Sequence, residues 1–386
     1  MQQVWEAALA VVDRLEQNGF EAVIVGGAVR DFVMQRPFHD VDVATEALPL
    51  QVKQLFTKTI DVGIEHGTVL VLDCEEPIEV TTYRTESGYS DYRRPDTVTF
   101  VRSLKDDLER RDFTMNAIAM RADGALVDYF GGHEDIEAKM IRAVGEPSAR
   151  FTEDALRMLR AARFRAQLGF QIEAETFAAL QEKSALIEHI AVERIAQELT
   201  KIFTSDHPAL GIEAIRTSRL ARYLAGTFDE APWHALKIQN AEQGWAYFYC
   251  LHAEQIPDIL SAYKCSNKLK TYAAKVYELV QLDAWDEVTY FDYELEHLLF
   301  ASCVQSAFGK AAEDEAAILK HKENLRLGSI QELTVSGKDL AEWTVGKKGP
   351  WIKERLDILK RAVLTGEVAN DRTHIKEWYD AKFNER

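Results

Sequence analysis

Apolar residues in the first part of the chain follow helical spacing in some stretches and strand spacing in others. Residues 1–20 carry apolar positions at helical spacing and end at Asn18-Gly19, which predicts a helix. The run from Ala22 to Val25 is short, β-branched and apolar, as a buried strand is, and Val29 to Met34 has a helical pattern. Further strands are predicted at three places: around Val41 and Val43, at Thr68 to Asp73, and at Ile78 to Arg84. The pattern predicts a small mixed sheet with helices.

Helical periodicity replaces this pattern after Ala143-Val144-Gly145 and continues from about Thr152 to the last residues of the sequence. We therefore predict an α+β chain with an α/β head at residues 1–140 and helical segments after it. The helical segments are a neck, a body and a tail, at residues 141–205, 206–325 and 326–386.

Length and composition fit a multidomain globular protein, with 386 residues, 47% hydrophobic and 28% charged. The first 20 residues contain Glu6, Asp13 and Glu16 rather than an export signal, and apolar runs stay well below the ~18 residues of a membrane span. A cytoplasmic protein without membrane contact is expected. The four cysteines have no close pair, so we expect small core residues rather than a zinc site or disulfides.

The formal net charge of −17 disfavours a nucleic-acid partner at first sight. Its distribution changes that conclusion, because residues 141–165 contain six arginines and only three acidic residues. A local positive groove could therefore still bind RNA.

Two aspartates separated by one residue, Asp40 and Asp42, are the first candidate site. Side chains alternate across a strand, so both carboxylates are expected on one face, where a divalent cation would offset their repulsion. The alternative is a solvated strand end. Gly26 and Gly27 precede the pair and allow a sharp turn whose backbone approaches a phosphate, onto which Arg30 could fork.

This arrangement resembles the DNA polymerase beta nucleotidyltransferase superfamily. More narrowly, it resembles the class II tRNA nucleotidyltransferases, the bacterial CCA-adding enzymes, in their short Gram-positive form. The same resemblance extends to "RRDFTMNAIA" at 110–119, "DYFGGHEDI" at 128–136, "EDALRMLRAARF" at 153–164 and "ERIAQELTKIF" at 193–203. It is weaker over residues 206–325 and returns at "VSGKDLAEW" and "KKGPWIKE".

The resemblance implies that the 3′-hydroxyl of tRNA attacks the α-phosphate of CTP or ATP and releases pyrophosphate. It also implies Mg²⁺ held by Asp40 and Asp42, with Glu79 on a neighbouring strand as the candidate third carboxylate; the alternative for Glu79 is an ordinary exposed strand residue. Arg111 is the expected triphosphate ligand, and Asp112 the expected acceptor for a ribose hydroxyl. Without the resemblance, a surface ion-pair cluster would be the better interpretation of this Arg-Asp run.

Four charged residues recur at three-residue steps on one predicted helix: Asp154, Arg157, Arg160 and Arg163. Cytosine and adenine both present an amine beside an unprotonated ring nitrogen, and a carboxylate beside a guanidinium complements that pattern. Asp154 and Arg157 are therefore expected to read the base. Arg160 and Arg163 would orient that pair or touch the nucleotide; a salt-bridged surface helix is the alternative.

The change from C to A requires a larger base pocket, and Gly131 and Gly132 are predicted as a hinge between head and neck. Near the end of the chain, Lys347 and Lys348 precede a proline that suits a helix start, and they are candidate ligands for a tRNA phosphate.

We predict a metal-dependent CCA-adding nucleotidyltransferase whose partners are tRNA, CTP and ATP. An A-adding enzyme or a poly(A) polymerase would use the same motifs, and an inactive tRNA-binding protein is the alternative of another class. The sequence does not fix the oligomeric state, and a homodimer is left open.

Overall fold

The computed structural model of the chain describes residues 2–88, 97–344 and 349–383. Its strands are β1 Ala22–Val25, β2 Asp42–Thr45, β3 Thr59–Gly63, β4 Thr68–Val71, β5 Ile78–Thr82, β6 Arg84–Ser87, β7 Thr97–Phe100, β8 Ile118–Met120, β9 Leu126–Asp128, β10 Met140–Ile141 and β11 Gln171–Ile172.

The α-helices of the first 234 residues are α1 Gln2–Gln17, α2 Gly27–Val33, α3 Pro49–Leu55, α4 Leu104–Glu109, α5 Gly132–Glu137, α6 Pro147–Glu153, α7 Leu156–Leu168, α8 Ala174–Lys183, α9 Val192–Phe203 and α10 Pro208–Thr217. Those that follow are α11 Ala241–His252, α12 Ile259–Ala262, α13 Asn267–Gln281, α14 Glu287–Asp292, α15 Leu295–Ala307, α16 Glu315–Glu323, α17 Gly337–Trp343, α18 Trp351–Thr365 and α19 Arg372–Phe383.

The chain forms two compact units. The first comprises Met1–His234 with Ser261–Lys264, and the second comprises Ala235–Leu260 with Cys265–Arg386. The second unit is helical, and its C-terminal part has a core of its own around Leu340, Leu359 and Tyr379. The four-part division into head, neck, body and tail stays a prediction. Among the helices of the described ranges, none is long and apolar enough to cross a membrane.

A seven-stranded mixed sheet organises the first unit, in the order β3-β4-β5-β2-β1-β8-β9. Its neighbouring strands are antiparallel except β2 and β5, which are parallel. Helix α1 contacts β1, β2 and β5, and its buried residues recur at helical spacing along one side. Fully burying such a side chain stabilises the fold by about 1.5–3 kcal/mol.

The sheet confirms the predicted α/β head and the predicted strands near residues 22, 42, 68 and 78. Sequence patterns missed β3, the β6–β7 hairpin, β8 and β9. Strands β8 and β9 have three residues each, which is too short for an alternating pattern to stand out. After residue 140 the chain is helical as predicted, apart from the two-residue parallel pair β10 and β11.

The cysteine prediction was half right. All four are free, but Cys303 is exposed and Cys74, Cys250 and Cys265 are half-buried, so none is a fully buried core residue. Cys250 and Cys303 lie on helices α11 and α15, whereas Cys74 and Cys265 lie in connecting segments.

The hinge predicted at Gly131 and Gly132 stays a prediction, and the structure shows a packing role for Gly132. Gly132 begins α5, and a Cβ atom there would overlap the carbonyl oxygen of Thr114 and lie 2.8 Å from Cγ1 of Ile118. The helix therefore sits directly on the 3₁₀ turn at Thr114–Asn116. Only glycine permits this close approach of backbone to backbone.

Gly132→Ala is expected to lower the free energy of unfolding by about 1–3 kcal/mol, because backbone atoms on both sides must move apart. Chemical denaturation measures this change. Gly63→Ala is the matched control, since nothing lies within 4 Å of a Cβ at that position. Equal stability of both variants would contradict the packing role of Gly132.

Candidate active site

Acidic side chains from neighbouring strands meet on one face of the sheet. Asp42 begins β2, and its direct partner on β5 is Glu79. Asp40 precedes the strand, yet exposure alternates along the chain here: Asp40 and Asp42 are exposed, whereas Val41 and Val43 are buried. Directly paired residues of adjacent strands point to the same face. The structure therefore brings together the three carboxylates that the sequence suggested.

The pKa of Asp42 lies above its usual value, although the residue as a whole is open to solvent. The surrounding protein partly desolvates the carboxyl, and the like charges of Glu79 and Asp40 disfavour ionisation further, while Arg111 opposes both effects. The positive charge of Arg111 is therefore too small to offset the repulsion among the three carboxylates.

Gly26 gives access to this group of carboxylates. Its φ of 80° lies in the left-handed region, and a Cβ atom there would be 3.2 Å from Nη1 of Arg111 and 3.7 Å from Oδ2 of Asp42. A side chain at position 26 would thus fill the space between the carboxylate and the guanidinium. At Gly27 a Cβ atom would lie 3.6 Å from Nη2 of Arg30.

An ion pair orients Arg111, but one of its hydrogen-bond donors has no acceptor among the described residues. Its Nη2 pairs with Oδ2 of Asp107 at 3.3 Å, and its Nε is buried without a hydrogen-bond acceptor among the described residues. Arg110 contacts the other oxygen of Asp107 at 2.8 Å. Burial alone would raise the pKa of Asp107, but the two arginines hold that pKa below its usual value. Asp107 therefore remains a charged support that orients Arg111.

Arg30 belongs to a buried chain of polar contacts. It donates to both oxygens of Asp31 at 2.9 Å and, through Nη1, to Oδ1 of Asn116 at 2.7 Å. Asn116 in turn donates to Oδ1 of Asp112 at 3.0 Å. In this arrangement Arg30 supports Asp112, and the predicted contact between Arg30 and a phosphate stays a prediction.

Asp112 joins the head to helix α7. Its Oδ2 accepts hydrogen bonds from Nε of Arg160 at 2.8 Å and from Nη2 of the same residue. Its Oδ1 accepts from the Phe113 amide at 2.8 Å and from Asn116. Burial would raise the pKa of Asp112, but Arg160 and Asn116 hold the pKa well below its usual value. All four acceptor positions of this carboxylate are thus occupied within the protein.

Asp112→Asn is expected to lower the free energy of unfolding at pH 7 by about 2–3 kcal/mol, less than for a fully buried pair because 32% of the Arg160 side chain is exposed. Because the folded-state pKa is depressed, this stabilisation is present above the unfolded pKa of about 3.9 and is lost as pH falls below it. Urea titrations from pH 7 to pH 3 should show the two proteins converging. A difference that stays constant with pH would contradict this origin.

Asp154 does not lie on the helix predicted for it. It ends α6 in an extended conformation, φ −134° and ψ 102°, and α7 begins at Leu156. Its Oδ1 accepts from the Leu156 amide at 3.1 Å, and its Oδ2 pairs with Nη2 of Arg194 at 3.2 Å. The chain turns here because the carboxylate satisfies an amide at the start of α7, as an N-terminal cap does.

Arg157 is the second residue of α7 and is almost fully buried. Its Nη1 contacts Oε2 of Glu153 at 2.8 Å, and its Nη2 donates to the carbonyl oxygen of Arg110 at 2.8 Å. These contacts orient the guanidinium from both the neck and the head.

Arg160 and Arg163 do not orient Asp154 and Arg157 as one of their two predicted roles requires, and their predicted contact with the nucleotide stays a prediction. Arg160 binds Asp112, and Arg163 pairs with the buried Glu198 at 3.1 Å, while Asp154 and Arg157 are oriented by Arg194 and Glu153. The ring of Phe164 lies under three guanidinium groups, 4.2 Å from that of Arg163. Asp154 lies outside α7, and six residues turn a helix by about 600°, so Arg157 and Arg163 face different neighbours; this is the reason for the difference.

Sequence reasoning did not identify Asn116, Arg194, Glu198 or Asp107 as members of this site. Arg194 and Glu198 are separated by four residues in "ERIAQEL", a spacing that places both on one face of α9, and this was the available signal. Asn116 and Asp107 gave none. Lys347 and Lys348 lie outside the described residues.

No group of three or more histidine, cysteine, aspartate or glutamate side chains within the described ranges is arranged as a complete metal site. Mg²⁺ does not require such a group, because it is usually held by one or two carboxylates together with water and substrate phosphates. The exposed oxygens of Asp40 and Asp42, with too little positive charge beside them, fit such an ion.

Three family models match successive parts of the chain. Residues 22–142 match the "Poly A polymerase head domain", residues 169–230 the "RNA and SrmB- binding site of polymerase A", and residues 236–379 "tRNA nucleotidyltransferase domain 2".

Individual relatives match over nearly the whole length. The chain is 42% identical over 392 residues to the CCA-adding enzyme of Geobacillus sp. strain WCH70, covering 98% of this chain and 97% of that protein. It is 41% identical to the CCA-adding enzyme of Pediococcus pentosaceus, covering 96% of each.

The solved structure of the Bacillus stearothermophilus CCA-adding enzyme in complex with CTP superposes with a TM-score of 0.90 at 38% identity, covering 100% of this chain and 98% of that one. The Thermotoga maritima CCA-adding enzyme complexed with tRNA shares the fold, with a TM-score of 0.69 at 19% identity, covering 99% of this chain and 96% of that one. With a polymerase beta-like head, a helical continuation and full-length relatives of one kind, the chain belongs to the class II CCA-adding enzymes.

Proposed function

We propose that the carboxylates of Asp40, Asp42 and Glu79, together with Arg111, form the catalytic centre of this CCA-adding tRNA nucleotidyltransferase. The enzyme adds C, C and A in turn to the 3′ end of tRNA from CTP and ATP, without a nucleic-acid template. The observation that carries the assignment is the closeness of Arg111 and Asp42 to Gly26. A Cβ atom at Gly26 would lie 3.2 Å from Nη1 of Arg111 and 3.7 Å from Oδ2 of Asp42. A triphosphate bound between them would contact the backbone at Gly26, the guanidinium of Arg111 and a metal ion held by the carboxylates.

Mg²⁺ is the proposed metal, with Asp40 and Asp42 as its ligands. Bound there, it would neutralise the triphosphate and lower the pKa of the attacking hydroxyl. Glu79 lies directly beside Asp42 across the strand pair, so it is the third carboxylate we propose for this site.

The chain's own side chains bind and orient the nucleotide in this proposal. Arg111 binds the triphosphate with Nη1, which points to Gly26, and Asp107 keeps it in position. Asp112 and Arg160 fix the start of α7 against the head. The ribose contact predicted for Asp112 stays a prediction, because the carboxylate already accepts four hydrogen bonds.

Base choice is assigned to Asp154 and Arg157. Each carboxylate oxygen of Asp154 makes one contact and retains acceptor capacity beside it. It can accept from the amine of cytosine or adenine, whereas the carbonyl of uracil or guanine would face a second acceptor. Arg157 supplies the complementary donor.

Partners beyond the nucleotides are also part of the proposal. The tRNA binds with its 3′ end at the carboxylates, and Lys347 and Lys348 remain the predicted phosphate ligands in the tail. The cytoplasm remains the predicted location, and a homodimer is neither required nor excluded by this chemistry.

The function is tested with purified protein, Mg²⁺ and three tRNAs, which end before the first C, before the second C and before the final A. Each tRNA is offered one of four labelled nucleotides at a time. We expect C and then A to be incorporated, U and G to be rejected, and all incorporation to stop when EDTA removes the metal. Incorporation of A alone would favour an A-adding enzyme. Binding of tRNA without incorporation would favour the inactive binding protein.

A further inference from the structure

The face of the sheet that carries Asp42 and Glu79 is covered over part of its width. Toward β1 and β8, Leu104 and Leu108 of α4 pack in one buried cluster with Val23 and Ala44. Toward β5, β4 and β3, the same face is lined by side chains that remain open or half-open to solvent. Exposed apolar side chains grouped on one surface are typical of a site that binds another molecule.

Strand register defines the open part. Asp42 pairs with Glu79, Glu79 with Leu70, and Leu70 with Ile60, so these four side chains form one row across β2, β5, β4 and β3. Leu70 is half-buried and Ile60 is 50% exposed. We call Glu79, Leu70 and Ile60 the open strip.

One contact shows that the open strip lies on the face opposite α3. Lys53 on α3 forms an ion pair with Asp61 at 2.8 Å, which places α3 on the face to which Asp61 points. Ile60 precedes Asp61 on the strand and therefore points the other way. The next row on the open face holds Thr68 and Thr81, whose hydroxyls are 3.1 Å apart.

The direction of the reaction indicates which substrate group approaches the open strip. Gly26 and Arg111 mark the triphosphate side, and β1, which leads into Gly26, lies on one side of Asp42 while β5 lies on the other. In an in-line displacement the attacking oxygen enters opposite the leaving pyrophosphate. The attacking 3′-hydroxyl must therefore arrive over Glu79.

We infer that the open strip receives the 3′-terminal nucleotides of tRNA, with a base or ribose resting on Leu70 and Ile60. This inference rests on the proposed function of the carboxylates. From Asp42 to Ile60 the row spans three strand spacings, roughly 14 Å, so it extends from the metal carboxylates far enough for a ring face to lie flat on Leu70 and Ile60. The strip has one carboxylate and no cation, so it suits the apolar faces of bases and sugars, with the phosphates turned to solvent.

An apolar platform also fits the task chemically. As addition proceeds, the 3′-terminal nucleotide of the tRNA is first the one that precedes CCA, then the first C and then the second C. Contacts with ring faces tolerate every base, whereas hydrogen bonds to base edges would not.

Ile60→Asp tests the inference against Leu50→Asp. Leu50 is 67% exposed on α3, on the opposite face, so it controls for the added charge and the lost apolar surface. We expect Ile60→Asp to raise the KM for tRNA about tenfold, with the KM for CTP unchanged. Leu50→Asp should leave both constants within about twofold of the parent, and Ile60→Val should retain the parent KM for tRNA. Equal effects of the two aspartate variants would overturn the inference.

A photoreactive base at the 3′ end of tRNA gives a second measurement that does not depend on a variant. The expected cross-link falls in the peptide that contains residues 59–71. Cross-links confined to other peptides would overturn the inference while leaving the proposed function intact, provided that the unmodified protein still adds C and A.

Discussion

Asp42→Ala is expected to reduce nucleotide addition by at least about 10³-fold, the largest loss that any single substitution in the head should cause. Asp42 is the carboxylate at which Asp40, Glu79 and Arg111 act together, since all three shift its pKa. Without it, the metal would lose a ligand, and the attacking hydroxyl would lose the activation that the metal supplies. Binding of tRNA should change little, because the carboxylate itself repels phosphate.

Single-turnover incorporation of labelled CTP measures the loss, and filter binding measures the affinity for tRNA. Asp61→Ala is the matched control, an exposed aspartate on the opposite face of the same sheet whose contact is an ion pair with Lys53. It should keep full activity. Survival of addition in Asp42→Ala would show that the metal is held elsewhere.

Asp154→Asn is expected to weaken the choice of base. The amide keeps the shape and can still cap α7, but its NH₂ group donates to the carbonyl of uracil, which the carboxylate cannot do. A bidentate contact of this kind discriminates by about 1–3 kcal/mol, so the ratio of kcat/KM for CTP to that for UTP should fall by roughly 5- to 150-fold.

The second compact unit offers a matched control for this substitution. Asp286 also accepts a hydrogen bond from an amide at the start of a helix, that of Thr289, and also pairs with an arginine, Arg361 at 3.0 Å. Asp286→Asn therefore makes the same chemical change in a similar setting and should leave the CTP to UTP ratio unaltered. An unchanged ratio in Asp154→Asn would remove Asp154 from the reading of the base.

Local patterns predicted those parts of the site that lie close together in sequence. The alternation around Asp40 and Asp42 fixed their common face, and the strand pattern of "IEV" put Glu79 on a strand, although only the parallel pairing of β2 and β5 sets it beside Asp42. The helical repeat after residue 152 likewise predicted α7.

The rest depends on contacts between distant segments. Arg111 reaches Gly26 only because the chain after α4 returns to pair β8 with β1, and β8 is too short to be predicted from periodicity. The break between α6 and α7 was missed because Asp154 satisfies an amide instead of continuing the helix, a choice set by its contact with Arg194 on α9. Polar partners of this kind are selected by tertiary packing.

The fastening of α7 to the head bears on how one enzyme handles both a pyrimidine and a purine. Arg157 donates to the backbone of Arg110, Arg160 binds Asp112, and the ring of Phe164 meets that of Phe113 edge-on at 5.7 Å. Tilting α7 to admit a second aromatic ring would break all of these contacts together. Side-chain rotation or a shift of the nucleotide would supply the extra volume of adenine without breaking them, and we expect Asp40 and Asp42 to keep one separation from Asp154 and Arg157 through all three additions.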